Sequence, residues 1–276
     1  MAVFDALVEA YEEENLETMA GLNPTLLDDF FLAPFTWLVR DGVSVTDGLG
    51  ISPQEIYFLE CLAQARPAKR IFAIGNAFGW STLALALANP GSEVVAIDAG
   101  YDLNSLAGLE VTNRIAARLN LKVQAIEAVS PQDVGAVLNR TIGEVDLVFI
   151  DGYHTSDQVV ADWHAVQPFL HPDGVALFHD VLFCNLLSGF RRIGEESGWT
   201  ATLLHATTSG MGILAREYDR SLNRLTKAFA GHPGARALVH ANARAAAHLR
   251  GREQLDDALS AIPAAHHSKP ETPSVQ

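Results

Sequence analysis

The stretch Val145-Asp146-Leu147-Val148-Phe149-Ile150-Asp151-Gly152-Tyr153-His154 decides the fold. From Leu147 to Ile150 it is continuously apolar, as a strand buried on both faces is, and does not alternate as a half-exposed strand does. The run stops at a carboxylate, a glycine and a histidine. In an open α/β sheet such a carboxylate falls at the rim, beyond the carboxyl ends of the strands, where ligands bind.

Similar units lie on both sides of it. Residues 70–74, 93–98 and 122–127 read as strands, with helices expected at 81–88, 108–119 and 131–138 between them. After the central strand come a helix over 156–170, a turn at His171-Pro172-Asp173-Gly174 and a strand over 175–179. This strict alternation predicts a parallel, doubly wound sheet. Two more strands, 200–204 and 212–215, are joined by a short turn at 206–210 and must be antiparallel neighbours. The expected class is therefore α/β: a Rossmann-like, doubly wound, mostly parallel seven-stranded sheet ending in an antiparallel hairpin. It carries an N-terminal helical arm and C-terminal helices.

The flanks divide the chain into an arm or cap over 1–50, the core over 51–216, a helical extension over 217–262 and a disordered tail over 263–276. Phe4, Leu7, Val8 and Tyr11 share one face of an acidic helix expected over 1–20. Leu26 to Val39 is rich in Phe, Leu and Trp and is expected to form one or two short helices, and 41–50 a glycine-rich loop. Such an apolar arm covers a pocket or builds a dimer contact, so a homo-oligomer is expected. Ser52-Pro53-Gln54-Glu55 opens a helix with a capping box, the serine as N-cap, the proline at N1 and the glutamate at N3.

Composition narrows the partners. The chain has 276 residues, 49% of them hydrophobic, and a formal net charge of −14. That charge opposes a nucleic-acid partner, which needs clustered Lys and Arg. No apolar run reaches membrane-spanning length, so no membrane partner is expected. The N-terminus lacks a basic start followed by an apolar core, and the two cysteines, Cys61 and Cys184, have no metal-binding spacing. A reducing, cytoplasmic setting follows as the expectation.

The chemistry-bearing residues sit at strand ends. Gly75-Asn76-Ala77-Phe78-Gly79 follows one strand and opens a helix, and Asp98 ends the next strand. A glycine turn with unpaired helix N–H groups, followed by an acid at the next strand end, fits a nucleoside cofactor whose ribose hydroxyls the acid binds. NAD and S-adenosyl-L-methionine (SAM) sites share this pattern. The terminal hairpin favours SAM, as do the runs Asp151-Gly152-Tyr153-His154, Leu170-His171-Pro172-Asp173-Gly174 and His179-Asp180.

With Ile74-Gly75-Asn76-Ala77-Phe78-Gly79-Trp80-Ser81-Thr82-Leu83, Ile97-Asp98 and Ser130-Pro131-Gln132-Asp133, these segments make residues 50–216 resemble class I SAM-dependent methyltransferases. Within them the chain is similar to small-molecule O-methyltransferases of the catechol, caffeoyl-CoA and antibiotic-sugar type. The resemblance implies transfer of methyl from SAM to a hydroxyl of a small-molecule acceptor. It implies that Gly75, Asn76, Ala77, Gly79, Trp80, Ser81 and Thr82 hold the methionine part of SAM, Asp98 the ribose and Ser130 the adenine. Asp151 would face the cofactor and the acceptor.

The resemblance further implies a divalent metal at Asp151, His179 and Asp180. An imidazole suits transition ions better than Mg²⁺, so three readings stay open: Mg²⁺ on the two acids and water, a different ion, or no metal. His154, three residues past Asp151, stands where related enzymes carry the general base, and an imidazole titrates in the right range for that task. His164 and His205 read as structural or surface residues, and His266 and His267 as solvated. Two departures from the family pattern matter. Ala73 replaces an acid that helps hold the cofactor's ammonium, and Ala77 replaces a frequent glycine. They motivate a rival reading, a non-catalytic binding or assembly protein on the same fold. A nicotinamide-dependent oxidoreductase is a second rival and would require an all-parallel sheet.

Overall fold

The computed structural model describes residues 2–23, 32–46, 50–101 and 103–231. The core alternates as expected: α2 (Pro53–Ala65), β4 (Arg70–Ile74), α3 (Trp80–Ala88), β5 (Glu93–Asp98), α4 (Leu103–Arg118), β6 (Lys122–Glu127), α5 (Val134–Arg140), β7 (Val145–Ile150), α6 (Ser156–Val166) and β8 (Leu170–Phe178). Then follow α7 (Leu187–Ser197), β9 (Thr200–Leu203), β10 (Gly212–Ala215) and α8 (Arg220–Ala230).

The sheet runs in the order β6-β5-β4-β7-β8-β10-β9. The strands from β6 to β8 are parallel, while β10 is antiparallel to both β8 and β9. The all-parallel sheet that a nicotinamide enzyme would require is therefore not what this chain builds. Strand order reverses between β4 and β7, and a cleft opens at that point beyond the strand ends.

Each central strand is buried on both faces. In β7, Leu147 and Phe149 pack into one apolar cluster with α1, α2, α3 and α8, where α1 is Ala2–Glu12. Val145, Val148 and Ile150 pack into the other, with α5, α6 and α7. This two-sided burial is why the strand reads as an unbroken apolar run.

The arm differs from the helical expectation. Helix α1 ends at Glu12, and β1 (Glu17–Ala20) pairs antiparallel with β2 (Thr36–Arg40), which pairs with β3 (Val43–Ser44). The segment expected as short helices over 26–39 is thus a strand in its last part, and residues 24–31 lie outside the described residues. Two features favour the strand. Thr36-Trp37-Leu38-Val39 is β-branched and aromatic. Asp41 and Gly42 both have positive φ, 52° and 75°, and close a two-residue hairpin turn of the primed kind. The helical expectation after residue 217 holds for α8; the rest of the extension and the tail, with His266 and His267, lie outside the described residues.

Helix α1 packs against the core. Tyr11 is fully buried, donates its hydroxyl hydrogen to the Phe78 carbonyl, and stacks 5.2 Å from the Trp80 ring at a tilt. The Trp80 indole in turn donates to the Ile51 carbonyl at 3.1 Å. The arm therefore props the turn between β4 and α3. Tyr11→Phe leaves the Phe78 carbonyl without its buried partner, at a cost of about 1–2 kcal/mol. Thermal melts should show a Tm lowered by a few degrees with far-ultraviolet circular dichroism unchanged.

Candidate active site

The cleft is built from three strand ends. At the end of β4, Gly75 has φ +91°, and a Cβ there would lie 1.9 Å from the Asp151 carbonyl oxygen. Only glycine lets the turn pass so close to the end of β7. The space it leaves is filled by the Asp151 backbone and not by a ligand. Gly79 has φ +81°, and its Cβ would strike the Thr112 hydroxyl at 2.1 Å. Ala77 adopts φ +43°, in the left-handed region that favours glycine.

Asp98, at the end of β5, ties this turn down. Its Oδ2 accepts hydrogen bonds from the Asn76 and Ala77 amides, both at 2.9 Å, and its Oδ1 accepts from the Gly100 amide at 3.0 Å. The Asn76 side chain points back into the fold, where its Oδ1 accepts from the Thr82 hydroxyl at 2.9 Å. Thr82 is fully buried behind the turn. Gly79 is the N-cap of α3 and makes no side-chain cap, so the first N–H groups of the helix lack one.

Asp151 ends β7, His154 follows it, and His179-Asp180 ends β8. These four meet. His154 Nε2 lies 3.0 Å from Asp180 Oδ2 and 3.4 Å from Asp151 Oδ1. His179 Nδ1 lies 3.2 Å from both Asp151 Oδ1 and Asp180 Oδ1. On the other side of the ring, His179 Nε2 lies 3.3 Å from Oε2 of Glu55, a residue of α2 that is fully buried. Asp180 is held at φ +55°, in the left-handed region that an aspartate tolerates better than most residues.

The charges in this cluster shift one another. His154 is pushed up to about 10, first by its hydrogen bond to Asp151 and then by the one to Asp180. Burial works against the charge on Asp151 and Asp180, yet His179 and His154 hold both carboxyls below the usual range. Burial likewise opposes protonation of His179, but Asp151, Asp180 and Glu55 together raise it well above an ordinary imidazole. Nearby, the Cys184 thiol is pushed up to about 11, chiefly by burial and then by Asp180.

A divalent metal fits this donor set. His179 Nδ1 and Asp180 Oδ1 are buried, and neither completes a hydrogen bond despite their 3.2 Å separation. Donor atoms around an ion at about 2.1 Å stand roughly 3.0–3.4 Å apart and do not hydrogen-bond one another. Asp151, His179 and Asp180 each offer one atom to such a position.

Two cavities meet at the turn. One is walled by Phe35, Leu38, Trp80 and Phe183 and floored by the acid–histidine cluster. The other is flanked by Ile74, Ile97, Ala128, Ser130 and Gln158. Gly75, Ala77, Asp98 and Asp151 line both. The structure thus brings Gly75, Asn76, Ala77, Trp80, Ser81, Asp98, Ser130, Asp151, His154, His179 and Asp180 to the cleft, while Gly79 and Thr82 shape the turn from behind. His164 pairs with Glu196 at the surface, away from the cleft. Sequence reasoning missed Glu55, Phe35, Phe183 and Gln158. Glu55 did carry a signal, as N3 of the capping box, but that role explains only its bond to the Ser52 amide.

Comparison with known proteins follows this geometry. Residues 72–181, from β4 to the end of β8, match a family model described as a methyltransferase domain. Several solved structures share the fold. The O-methyltransferase from Bacillus cereus in complex with SAH is 21% identical, with a TM-score of 0.50, covering 60% of this chain and 82% of that one. The SAH-bound methyltransferase PaMTH1 from Podospora anserina is 18% identical, with a TM-score of 0.54, covering 78% and 88%. The O-methyltransferase TomG from Streptomyces achromogenes, involved in tomaymycin synthesis and in complex with SAM, is 21% identical, with a TM-score of 0.51, covering 78% and 90%. Among the described residues no helix is long and apolar enough to cross a membrane.

The raised His154 value has a definite sign. Its folded value lies above the unfolded one near 6.5, so its pairing stabilises the fold fully below that pH and less and less as the pH rises through about 10. In metal-free buffer, the Tm difference between the parent protein and His154→Ala should be largest near pH 6 and should shrink towards pH 10. A difference constant over that range would contradict the pairing.

Proposed function

We propose that the chain is a SAM-dependent O-methyltransferase acting on a hydroxyl of a small molecule with an apolar body. The observation that carries this reading is the pair of cavities that meet at Gly75, Ala77, Asp98 and Asp151. One has the aliphatic flanks and polar ends suited to a nucleoside. The other sets an aromatic wall over titratable groups.

Bound SAM supplies an electrophilic methyl on a sulfonium. The chain does the rest. Asp98, already fixed by three backbone amides, presents its remaining lone pairs to the ribose hydroxyls. The free N–H groups at the start of α3 take the methionine carboxylate. Ser130 and Gln158 border the adenine. Ala73 is fully buried in β4 and offers no charge to the cofactor's ammonium, so that role passes to Asp151 and Asp98, the two acids that line both cavities.

Phe35, Leu38 and Phe183 hold the acceptor and exclude water. His154 Nε2 takes the hydroxyl proton as the methyl–sulfur bond breaks and the methyl–oxygen bond forms. Asp151, His179 and Asp180 would hold a divalent ion, which would supply Lewis-acid chemistry at an acceptor oxygen and would offset the carboxylate charge that otherwise keeps the proton on His154. Orientation of the two reactants across the shared wall supplies much of the rate.

Titration calorimetry with SAM tests the reading. Binding in the micromolar range is expected, weakened on Asp98→Ala; no heat at millimolar SAM leaves the fold as a binding or assembly scaffold. With a catechol or vicinal-diol panel as acceptor, His154→Ala should lower kcat by roughly 100-fold or more while leaving SAM affinity intact. Retention of full kcat would remove His154 from the proton transfer.

A further inference from the structure

Glu55 is more deeply buried than its place in the sequence requires. As N3 of the α2 capping box it needs only to reach the Ser52 amide, which Oε2 does at 2.9 Å. Yet its side chain is wholly buried. Its Oε1 accepts from both the amide and the hydroxyl of Ser209, at 2.8 and 2.6 Å. A carboxylate in such a place is costly unless it is paired. Three donors, two of them from the loop between β9 and β10, hold it in one orientation, with Oε2 set 3.3 Å from His179 Nε2. The contact lies off the line of a hydrogen bond.

On the opposite side of the ring, Nδ1 faces Asp151 and Asp180 at 3.2 Å and completes no hydrogen bond. The ring therefore stands between a fixed carboxylate and two further carboxylates whose nearest oxygens are spaced as donors around an ion. Ring edges are also fixed by Phe149, 5.9 Å away, and Phe35, 6.4 Å away.

We propose that Glu55 is a positioning residue that keeps the His179 proton on Nε2 and so presents the Nδ1 lone pair, with Asp151 and Asp180, to a first-row transition ion in preference to Mg²⁺. This rests on the methyltransferase reading only in placing that ion beside the acceptor. A histidine that ligates a metal through one nitrogen commonly gives its other N–H to a carboxylate, which fixes the tautomer and raises the basicity of the ligand. Mg²⁺ demands oxygen donors in a near-octahedral arrangement and gains little from an imidazole. The donor set is one nitrogen and two oxygens, and the buried acid behind the nitrogen strengthens it.

The full-length protein, stripped with chelator, is titrated with Co²⁺ alone, read by its visible d–d absorption, and with Mg²⁺ in competition. No SAM or acceptor is present. Wild type should bind Co²⁺ at least about 100-fold more tightly than Mg²⁺ and perturb the d–d band. Glu55→Gln should weaken Co²⁺ by 10–100-fold, the usual effect of removing such a partner, with little change for Mg²⁺. His179→Asp should collapse the Co²⁺ preference, and adding Glu55→Gln to it should then change nothing further.

Equal affinity of wild type for the two ions overturns the proposal, as does a Co²⁺ affinity unmoved by Glu55→Gln. So does a His179→Asp protein that keeps the wild-type preference, which decides the matter even if Glu55→Gln does not fold. A merely structural Glu55 would shift Tm without moving the ratio of the two ions. SAM calorimetry on the same preparations separates the two readings. Loss of ion preference with SAM binding intact sinks this proposal alone, and Co²⁺ selectivity without SAM binding sinks the methyl-transfer reading alone.

Discussion

The cleft depends on one close approach: Gly75 passing against the Asp151 carbonyl. Strands β4 and β7 are neighbours, and the order of the sheet reverses between them. Their ends must separate for the cleft to open, yet the chain leaving β4 must pass tightly against the end of β7. A residue without a Cβ meets both demands. Asp98 then fixes the turn from the next strand, and the same turn leads into the buried N-terminus of α3. The turn at the centre of the cleft is therefore shaped largely by backbone, and residue identity at Gly75 and Gly79 matters through what it leaves out.

The acid–histidine side of the cleft is the opposite case, an assembly of side chains held by mutual charge. Three carboxylates converge on one buried imidazole, and a second imidazole closes the ring of charge from the solvent side. In a low-dielectric setting each of these charges would be costly alone, and together they define a single arrangement. The elements that deliver them are far apart in sequence: α2, the ends of β7 and β8, and the loop between β9 and β10. The terminal antiparallel hairpin thus does more than finish the sheet, because its loop supplies the Ser209 donors that aim Glu55.

What the sequence disclosed follows from these two modes of construction. Strand ends carry their chemistry in local pattern, so Gly75, Asp98, Asp151 and His179-Asp180 stood out beside their apolar runs. The core helices and strands were legible because burial on both faces writes a continuous code. Glu55 was visible only as a cap, since its partners His179 and Ser209 lie more than a hundred residues away in the chain. Phe35 and Phe183 are apolar residues among many, and nothing local marks them as a wall. The arm misled because a cluster of Phe, Leu and Trp suits either element. The Asp41-Gly42 turn, which decides for strands, read as one more glycine-rich loop.

The bond from Tyr11 to the Phe78 carbonyl spans 67 residues. Contacts of such separation are late to form, because the loop they close must be ordered first. Helix α1 therefore has no partner until the turn it braces has been made and placed. Its buried face, Val3, Leu7, Ala10 and Tyr11, belongs to the same apolar cluster as α2 and α3. The turn between β4 and α3 thus borrows rigidity from a helix far from it in the chain, so a change in α1 reaches the cleft without altering any residue that lines it.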